Sequence, residues 1–245
     1  METRHLDRAP ISEALIDLRV KLEDVFDVTR FKDLNKLLGN DYTDPTPQQT
    51  FAAEFNFEKG GLKAAAKEPT LTGFVYQSKD SKHVAQFRKD GFSFSRLPPY
   101  TSWESVFAEA KRLWEIYIKT AAPTSVIRSA LRYINRLDVP AGGTLETYLA
   151  VPPRVPEGLE SKLSSFLNRI ILDNVADEFT AVITQALEPS NQQAHLSILL
   201  DIDVFTHRPL EPSSQAVENV LNRIHDVKNK IFFNSITQRT AEIYQ

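Results

Sequence analysis

Residues 14–22 of this 245-residue chain read Ala-Leu-Ile-Asp-Leu-Arg-Val-Lys-Leu, and this stretch decides the class of fold. Apolar side chains occupy every second position from Ala14 to Leu22, and charged side chains such as Asp17 and Arg19 fall between them. A repeat of two places alternate side chains on opposite faces of a strand. The stretch therefore predicts a β-strand with one face in the core and the other toward solvent.

The same alternation recurs along the chain and predicts a mainly antiparallel sheet. Asp90-Gly91 favours a tight turn between two neighbouring strands, since both residue types tolerate positive φ. The segment 40–49, which contains Pro45 and Pro47, is predicted to be a loop. The further strands are predicted at residues 51–58, 71–78, 83–88, 92–97, 126–139, 163–172, 178–187 and 195–205.

Two long amphipathic helices are predicted from apolar residues spaced three and four apart. The first covers residues 102–119 and brings Trp103 and Trp114 to one apolar face, where we expect both side chains to be core. The second covers residues 213–231 and has its own apolar stripe. A shorter helix is predicted over residues 28–38.

These elements predict an α+β protein made of two similar halves, residues 1–122 and 123–245, that form one compact unit. Each half contains a leading strand, an antiparallel meander and a long helix. Ala14 of the first half aligns with Ala130 of the second, which favours an internal duplication. A helix-grip sheet like that of the TATA-binding protein is one arrangement for such halves. The other interpretation is that a common α+β pattern recurs without duplication.

Composition restricts the class of protein. The formal net charge is −3, 42% of the residues are hydrophobic, and the chain has no cysteine. The apolar content supports a folded core, but no apolar run approaches the ~20 residues of a membrane span. The charge balance provides no overall attraction to nucleic acid or anionic lipid. The lack of cysteine excludes disulfides and thiol nucleophiles. The first residues lack an apolar export segment, so we expect a cytoplasmic location.

One predicted strand carries the strongest candidate for metal-dependent chemistry. His195, Asp201 and Asp203 share its polar face, and the two carboxylates are close enough to bind one divalent cation. Any half-solvated strand also has a polar outer face, so we predict no metal site here. The chain contains no phosphate-loop, Rossmann, hydrolase-elbow or zinc-protease motif, and we predict no catalytic residue and no cofactor. A metal-dependent nuclease or phosphohydrolase stays as the alternative function.

Arg128, Arg132 and Arg136 form a row on one face of another predicted strand. Such a row is typical of a surface that binds phosphate, another anion or a partner. The alternative is internal pairing, because Glu13 and Asp17 can reach the row if the two leading strands are neighbours. These five residues are our candidates for anion or partner binding. The opposite face is predicted to be apolar and carries Ile127, Leu131, Tyr133, Leu137 and Val139.

Phe232 and Phe233 near the C-terminus are candidates for an interface contact. Adjacent residues on a helix cannot both face one core stripe, so one of the two is expected to be available to a partner. Asn135 stands alone among apolar neighbours and is predicted to be a core amide with satisfied hydrogen bonds.

Four segments, taken in order, span nearly the whole chain: LDRAPISEALIDLRV (6–20), FSRLPPYTSWESVFAEAKRLWEIYI (94–118), SALRYINRLDVP (129–140) and LNRIHDVKNKIFFNSIT (221–237). The most specific parts are the RYIN segment (132–135), Tyr100 and Trp103. Together they resemble a sporadically distributed family of uncharacterised bacterial proteins of about this length. The resemblance implies a bacterial cytoplasmic protein and no particular activity. Patchy occurrence of this kind is associated with mobile-element, toxin–antitoxin or phage-defence genes.

The sequence as a whole predicts a non-enzymatic binding or regulatory protein that acts through contacts with another protein. A catalyst needs a nucleophile, a base or a metal at a recognisable spacing, and only the Asp201/Asp203 strand offers one. The arginine row provides directional contacts, and Phe232 or Phe233 provides an apolar anchor. We expect no membrane contact. Nucleic-acid binding through the arginine row is a second alternative, disfavoured by the net charge, and a homo-oligomer stays open.

Overall fold

The computed structural model describes residues 6–23, 25–51, 53–58, 61–66, 68–156, 158, 163–176, 178–189 and 194–245, and within 53–58 and 61–66 it describes the backbone alone. The strands are β1 (Ile11–Lys21), β2 (Thr46–Thr50), β3 (Ala53–Glu58), β4 (Gly61–Ala66), β5 (Thr70–Gln77), β6 (His83–Arg88), β7 (Gly91–Arg96), β8 (Ser125–Pro140), β9 (Leu167–Val175), β10 (Phe179–Glu188) and β11 (His195–Thr206). The helices are α1 (Asn35–Leu38), α2 (Trp103–Ala121), α3 (Leu145–Tyr148), α4 (Ser214–Ser235) and α5 (Gln238–Ile243), with a 3-10 helix at Val28–Asp33.

One nine-stranded antiparallel sheet organises the protein, and the predicted α+β class is confirmed. The strand order is β2-β5-β6-β7-β1-β8-β11-β10-β9, and β3 and β4 form a separate hairpin. β1 pairs with β7 on one side and with β8 on the other. As the alternation in β1 predicts, Ala14, Ile16 and Leu18 face the core and are at most 1% exposed. The sheet is therefore continuous between the two predicted halves.

The core lies between one face of the sheet and helices α2 and α4. α2 packs on β7, and α4 packs on β8 and β11. Trp103 and Trp114 are both buried, and the Trp114 ring centroid lies 6.0 Å from that of Phe92 in β7. Burial of these large apolar surfaces supplies most of the stabilising free energy. We call the opposite side of the sheet the polar face. Its charged residues include Glu13, Asp17, Arg19, Arg88, Arg128, Arg132 and Asp203.

α4 continues past residue 231, where the periodic pattern predicted its end. Asn234 Nδ2 donates to the backbone oxygen of Lys230 at 2.8 Å, and Ser235 Oγ donates to that of Ile231, also at 2.8 Å. Both polar side chains bond to carbonyls one turn back, which is compatible with helical backbone. The helix therefore ends at Ser235.

Ile127 lies on the face of β8 opposite to the one predicted for it. The register of β1 and β8 pairs Arg19 with Arg128 but Val20 with Val126, so Ile127 is an extra residue in β8. Ile127 is 42% exposed, whereas Val126 is fully buried. A bulge of this kind moves every residue before it to the other face. The predicted apolar face is thus wrong at its first position.

Two predictions of local structure are wrong. Part of the predicted loop 40–49 belongs to β2, in which Pro47 is paired opposite Phe74 of β5. Among the described strands β2 lies at the sheet edge, where a residue without an N–H donor is tolerated. The helix predicted over 28–38 is instead a 3-10 helix followed by the single turn α1.

The alignment of Ala14 with Ala130 does not relate equivalent positions. Ala14 belongs to the core cluster, whereas Ala130 lies on the polar face beside Arg128 and Arg132. Because strand faces alternate, an alignment that exchanges the faces is wrong by an odd number of residues.

Several strand limits differ from the prediction, and the largest difference is in β9. The strand predicted at 163–172 is β9, Leu167–Val175. The strand predicted at 51–58 is β3, and the expected orientation of its side chains lies outside the described part of the structure. No helix in the part of the chain that the structure describes is long and apolar enough to span a membrane.

Candidate functional site

Each arginine of the predicted row lies next to a carboxylate on the polar face. Arg128 donates to Asp17 at 3.0 Å and to Asp203 at 3.3 Å. Arg132 Nε donates to Asp201 Oδ1 at 2.8 Å, and its Nη2 donates to Oδ2. Arg136, the third member of the row, forms a salt bridge without a well-oriented hydrogen bond. Its Nη2 lies 2.9 Å from Glu188 Oε2, which accepts no hydrogen bond from the described residues. The row is therefore neutralised within the protein.

Asp17 lies at the centre of this network. Its carboxylate accepts from Arg19 Nε at 3.1 Å and from Arg88 Nη2 at 2.8 Å, in addition to the bond from Arg128. Three guanidinium groups thus surround one buried carboxylate. Glu13, the other predicted partner of the row, instead accepts from Ser95 Oγ at 2.7 Å.

The metal candidates His195, Asp201 and Asp203 do not form one cluster. His195 begins β11 opposite Pro140, and six residues of extended strand separate it from Asp201 by about 20 Å. Both carboxylates are engaged by arginines, as described above. Burial raises the pKa of Asp203, although Arg128 and Arg132 oppose this effect. No group of three or more His, Asp or Glu side chains within the described ranges is placed to hold a metal ion.

The interface candidates Phe232 and Phe233 line a pocket at the end of α4. Phe232 is 7% exposed, and Phe233 is half-buried against the core. Their rings make an edge-to-face contact with centroids 5.2 Å apart. The pocket has a volume of about 220 Å³ and is bounded by the segment before β1, the start of α2 and the last turns of α4. Its walls are largely apolar and include Leu6, Ala9, Pro10, Ile11, Tyr100 and Trp103.

Lys228 lies in the wall of this pocket and is buried, with 5% of its surface exposed. Its Nζ donates to Asn229 Oδ1 at 2.6 Å and lies 3.7 Å from the centroid of the Tyr133 ring. No carboxylate among the described residues forms a salt bridge with it. Burial lowers the pKa of Lys228 to about 7, and no neighbouring carboxylate offsets that effect. The ammonium group is therefore desolvated without a counter-charge.

His225, one turn before Lys228, faces the same pocket. Its ring stacks on Trp103 with centroids 4.6 Å apart and an angle of 10° between the planes. Trp103 Nε1 donates to Asn222 Oδ1 at 2.8 Å, which fixes the indole in this position. Burial, and then the charge of Lys228, lower the pKa of His225 to about 3. The imidazole is neutral at physiological pH and adds no second positive charge.

β8 supplies the floor of the pocket. Asn135 is buried, as predicted, and its Nδ2 donates to the backbone oxygens of Leu200 at 2.9 Å and Tyr133 at 3.3 Å. The Tyr133 and Tyr100 hydroxyls lie 3.2 Å apart. Burial raises the pKa of both phenols, so both are uncharged. Tyr100, Trp103 and Asn135 of the RYIN segment therefore line this pocket, and Tyr133 of the same segment contacts Lys228.

Sequence reasoning missed Lys228, although a signal was present. In α4 the apolar stripe includes Leu221, Ile224 and Phe232, and Lys228 follows Ile224 by four positions on the same stripe. A lysine at an inward position of an amphipathic helix indicates a buried amine. The pocket itself had no sequence signal, since its walls come from segments far apart in the chain.

β9 is a second surface with unusual properties. It is the last strand of the nine-stranded sheet and pairs only with β10 among the described strands. Leu167, Ile171 and Leu172 are 75%, 55% and 40% exposed. An apolar edge strand with free backbone N–H and C=O groups is prone to pair with another chain.

No protein-family model matches the chain, and no curated protein matches its sequence. A function for this chain is therefore argued from the geometry of the polar face, the pocket and β9.

Proposed function

We propose that this chain is a non-enzymatic binding protein that acts through contact with another protein at strand β9. The exposed apolar edge of β9 carries the proposal. Large exposed apolar side chains on a strand that has one free edge among the described strands fit the addition of an extended segment from a partner. In this mode the partner's backbone extends the sheet; Leu167 and Ile171 contact its side chains on one face, and Leu172 lies on the other face.

The proposal includes the setting that the resemblance implies. The protein acts in the bacterial cytoplasm, and its partner belongs to a defence or toxin–antitoxin context. The partner contributes an extended segment with apolar side chains at alternate positions, because that pattern matches a strand added at an edge.

The arginine network disfavours the two alternative functions, nucleic-acid binding and metal-dependent hydrolysis. Phosphate binding needs free guanidinium groups, but Arg128 and Arg132 are already bonded to carboxylates. A divalent cation needs free carboxylate oxygens, but both oxygens of Asp201 accept hydrogen bonds from Arg132. The network fits a stabilising role across the centre of the sheet.

The test uses tagged full-length protein and a lysine in the edge strand. Ile171→Lys places a charge where an added strand must pack, and we expect the affinity for a captured partner to fall at least about tenfold. Leu37→Lys is the matched control, because Leu37 is also a large apolar side chain on the surface, 57% exposed in α1. We expect this variant to keep the partner. In the complex, hydrogen exchange at the β9 amides should slow.

Either of two results would reject the proposal. The first is an Ile171→Lys variant that keeps its partner while the exchange of the β9 amides is unchanged in the complex. The second is turnover of a nucleotide or phosphodiester by the purified wild-type protein.

We also propose that the two halves arose by duplication in a TATA-binding-protein-like arrangement. The strand order supports this proposal, because β1 and β8 pair at the centre and are followed outward by β7-β6-β5 and β11-β10-β9. In each half a long helix follows the strands and packs on them. In a crystal structure, a single two-fold rotation should superpose β1 and α2 on β8 and α4; a failure to superpose them contradicts the duplication.

A further inference from the structure

The pocket beside Lys228 has the dimensions and walls of a small-molecule site. Its volume of about 220 Å³ exceeds the roughly 150 Å³ of a cavity that binds benzene, so it accommodates a molecule of that size. Its lining includes four aromatic side chains, Tyr100 and Trp103 from around the start of α2 and Phe232 and Phe233 from near the end of α4. Aromatic walls of this kind favour a flat, apolar ligand body, because they bury it without requiring new polar partners.

Lys228 adds a buried charge to this largely apolar site, whereas Glu104, the other charged side chain of the lining, is exposed. Lys228 Nζ has an amide oxygen and the face of Tyr133 as partners, and both stabilise an ammonium group less than a carboxylate does. Among the described residues, the ionisable groups around it are Glu104, which lines the pocket, the neutral His225, and the uncharged phenols of Tyr100 and Tyr133. None of them pairs with Lys228 in a salt bridge. A ligand anion is therefore the missing partner.

We propose that this pocket binds a small organic carboxylate with an apolar, aromatic-sized body. The carboxylate accepts hydrogen bonds from Lys228 Nζ. The body lies between the Tyr100 and Trp103 side chains and the two phenylalanines. This inference is independent of the proposed partner at β9, since the two surfaces share no residue.

Benzoate is the probe, with benzamide as its uncharged counterpart of the same shape. Binding is followed by ligand-observed NMR and by the fluorescence of Trp103, which lines the pocket. The wild type should bind benzoate at least about tenfold more tightly than benzamide, as expected for one charge-assisted hydrogen bond in a desolvated site. The preference should decrease from pH 6 to pH 9, because Lys228 loses its proton near pH 7.

Two variants separate the charge from the pocket. Lys228→Met keeps the length and apolar stem of the side chain, so it should still bind benzamide but should lose the preference for benzoate. Lys230→Met changes an exposed lysine on the same helix and should keep that preference. Circular dichroism checks that both variants are folded. The proposal is overturned if wild type binds neither probe, if it binds both equally, or if Lys228→Met retains the preference.

Discussion

At the scale of single residues, Lys228 makes stability depend on pH. Its pKa in the folded protein is about 7, against an ordinary lysine value of 10.5, so the unfolded chain binds more protons between these values. The free energy of unfolding therefore rises with pH above about 7. We expect Lys228→Met to be more stable than wild type by about 1–3 kcal/mol at pH 6, because it removes a buried charge.

The same advantage should be smaller by about 2 kcal/mol at pH 9, where wild-type Lys228 is mostly neutral. Urea unfolding at the two pH values measures this difference, and Lys230→Met provides the baseline for an exposed lysine. A gain in stability that is equal at both pH values would show that Lys228 is not desolvated.

Among the carboxylates of the polar face, Asp17 should contribute most to the free energy of unfolding. Asp17→Asn removes the negative charge that three arginines share, and we expect it to destabilise the protein by about 2–4 kcal/mol. Asp138→Asn, an exposed position on β8, should change stability by less than about 0.5 kcal/mol. Chemical denaturation compares the two variants. Equal effects would mean that the network contributes nothing beyond an ordinary surface carboxylate.

The residues of the polar face were easier to predict than those of the pocket. The alternation in β8 and in β1 places Arg128 and Asp17 on the polar face. The pairing of these two strands then brings the two side chains together. Lys228 is different, because a single cation in a helix is usually solvated. Its burial follows from the packing of α4 on β8, which places its Nζ over the Tyr133 ring.

At the scale of elements, the C-terminus of α2 contains a strained residue. Ala122 has φ 46° and ψ 56°, a left-handed conformation that glycine adopts without strain. We expect Ala122→Gly to stabilise the protein by about 0.5–1 kcal/mol. Ala121→Gly, one residue earlier and inside the helix, should destabilise it by about 1 kcal/mol. Thermal unfolding measures both, and a loss of stability in Ala122→Gly would contradict the assignment of strain.

The hairpin of β6 and β7 depends on Gly91. Its φ is +153°, and an added Cβ would lie 2.1 Å from the backbone oxygen of Leu18 in β1. Gly91→Ala must therefore push β7 away from β1, at an expected cost of about 3 kcal/mol or more. Gly142→Ala has open space around its Cβ and should be close to neutral. If both substitutions have the same small effect on urea unfolding, the close approach of the strands is not rigid.

Elements with a long periodic pattern were predictable, and short or irregular ones were not. α2 carries a repeated apolar stripe, and β1 carries strict alternation, so local sequence determines both. β2 was missed because Pro47 breaks the local pattern, and only its pairing with β5 makes it a strand. The bulge at Ile127 was also missed, because it exists only in the register between β1 and β8.

At the scale of the whole molecule, the continuous sheet should make unfolding cooperative. Trp103 contacts α4 of the second half, whereas Trp114 packs on Phe92 of the first half, so a Trp103→Phe background makes tryptophan fluorescence report on the first half. Leu200→Ala, in the core of the second half, should destabilise the protein by about 2–5 kcal/mol. We expect the fluorescence and circular-dichroism midpoints to shift equally. A shift in circular dichroism alone would show that the halves unfold independently.

The central pairing of β1 with β8 also affects how the protein is made. Asp17 and Arg128, which bond across this pairing, are 111 residues apart in the chain. At a synthesis rate of about 5–20 residues per second, β1 leaves the ribosome roughly 5–20 s before its partner strand. Throughout that interval the edge of β1 that pairs with β8 has no partner strand, and Asp17 lacks its bond from Arg128. Nascent chains are therefore most vulnerable to mispairing and to chaperone capture between the completion of α2 and the arrival of β8.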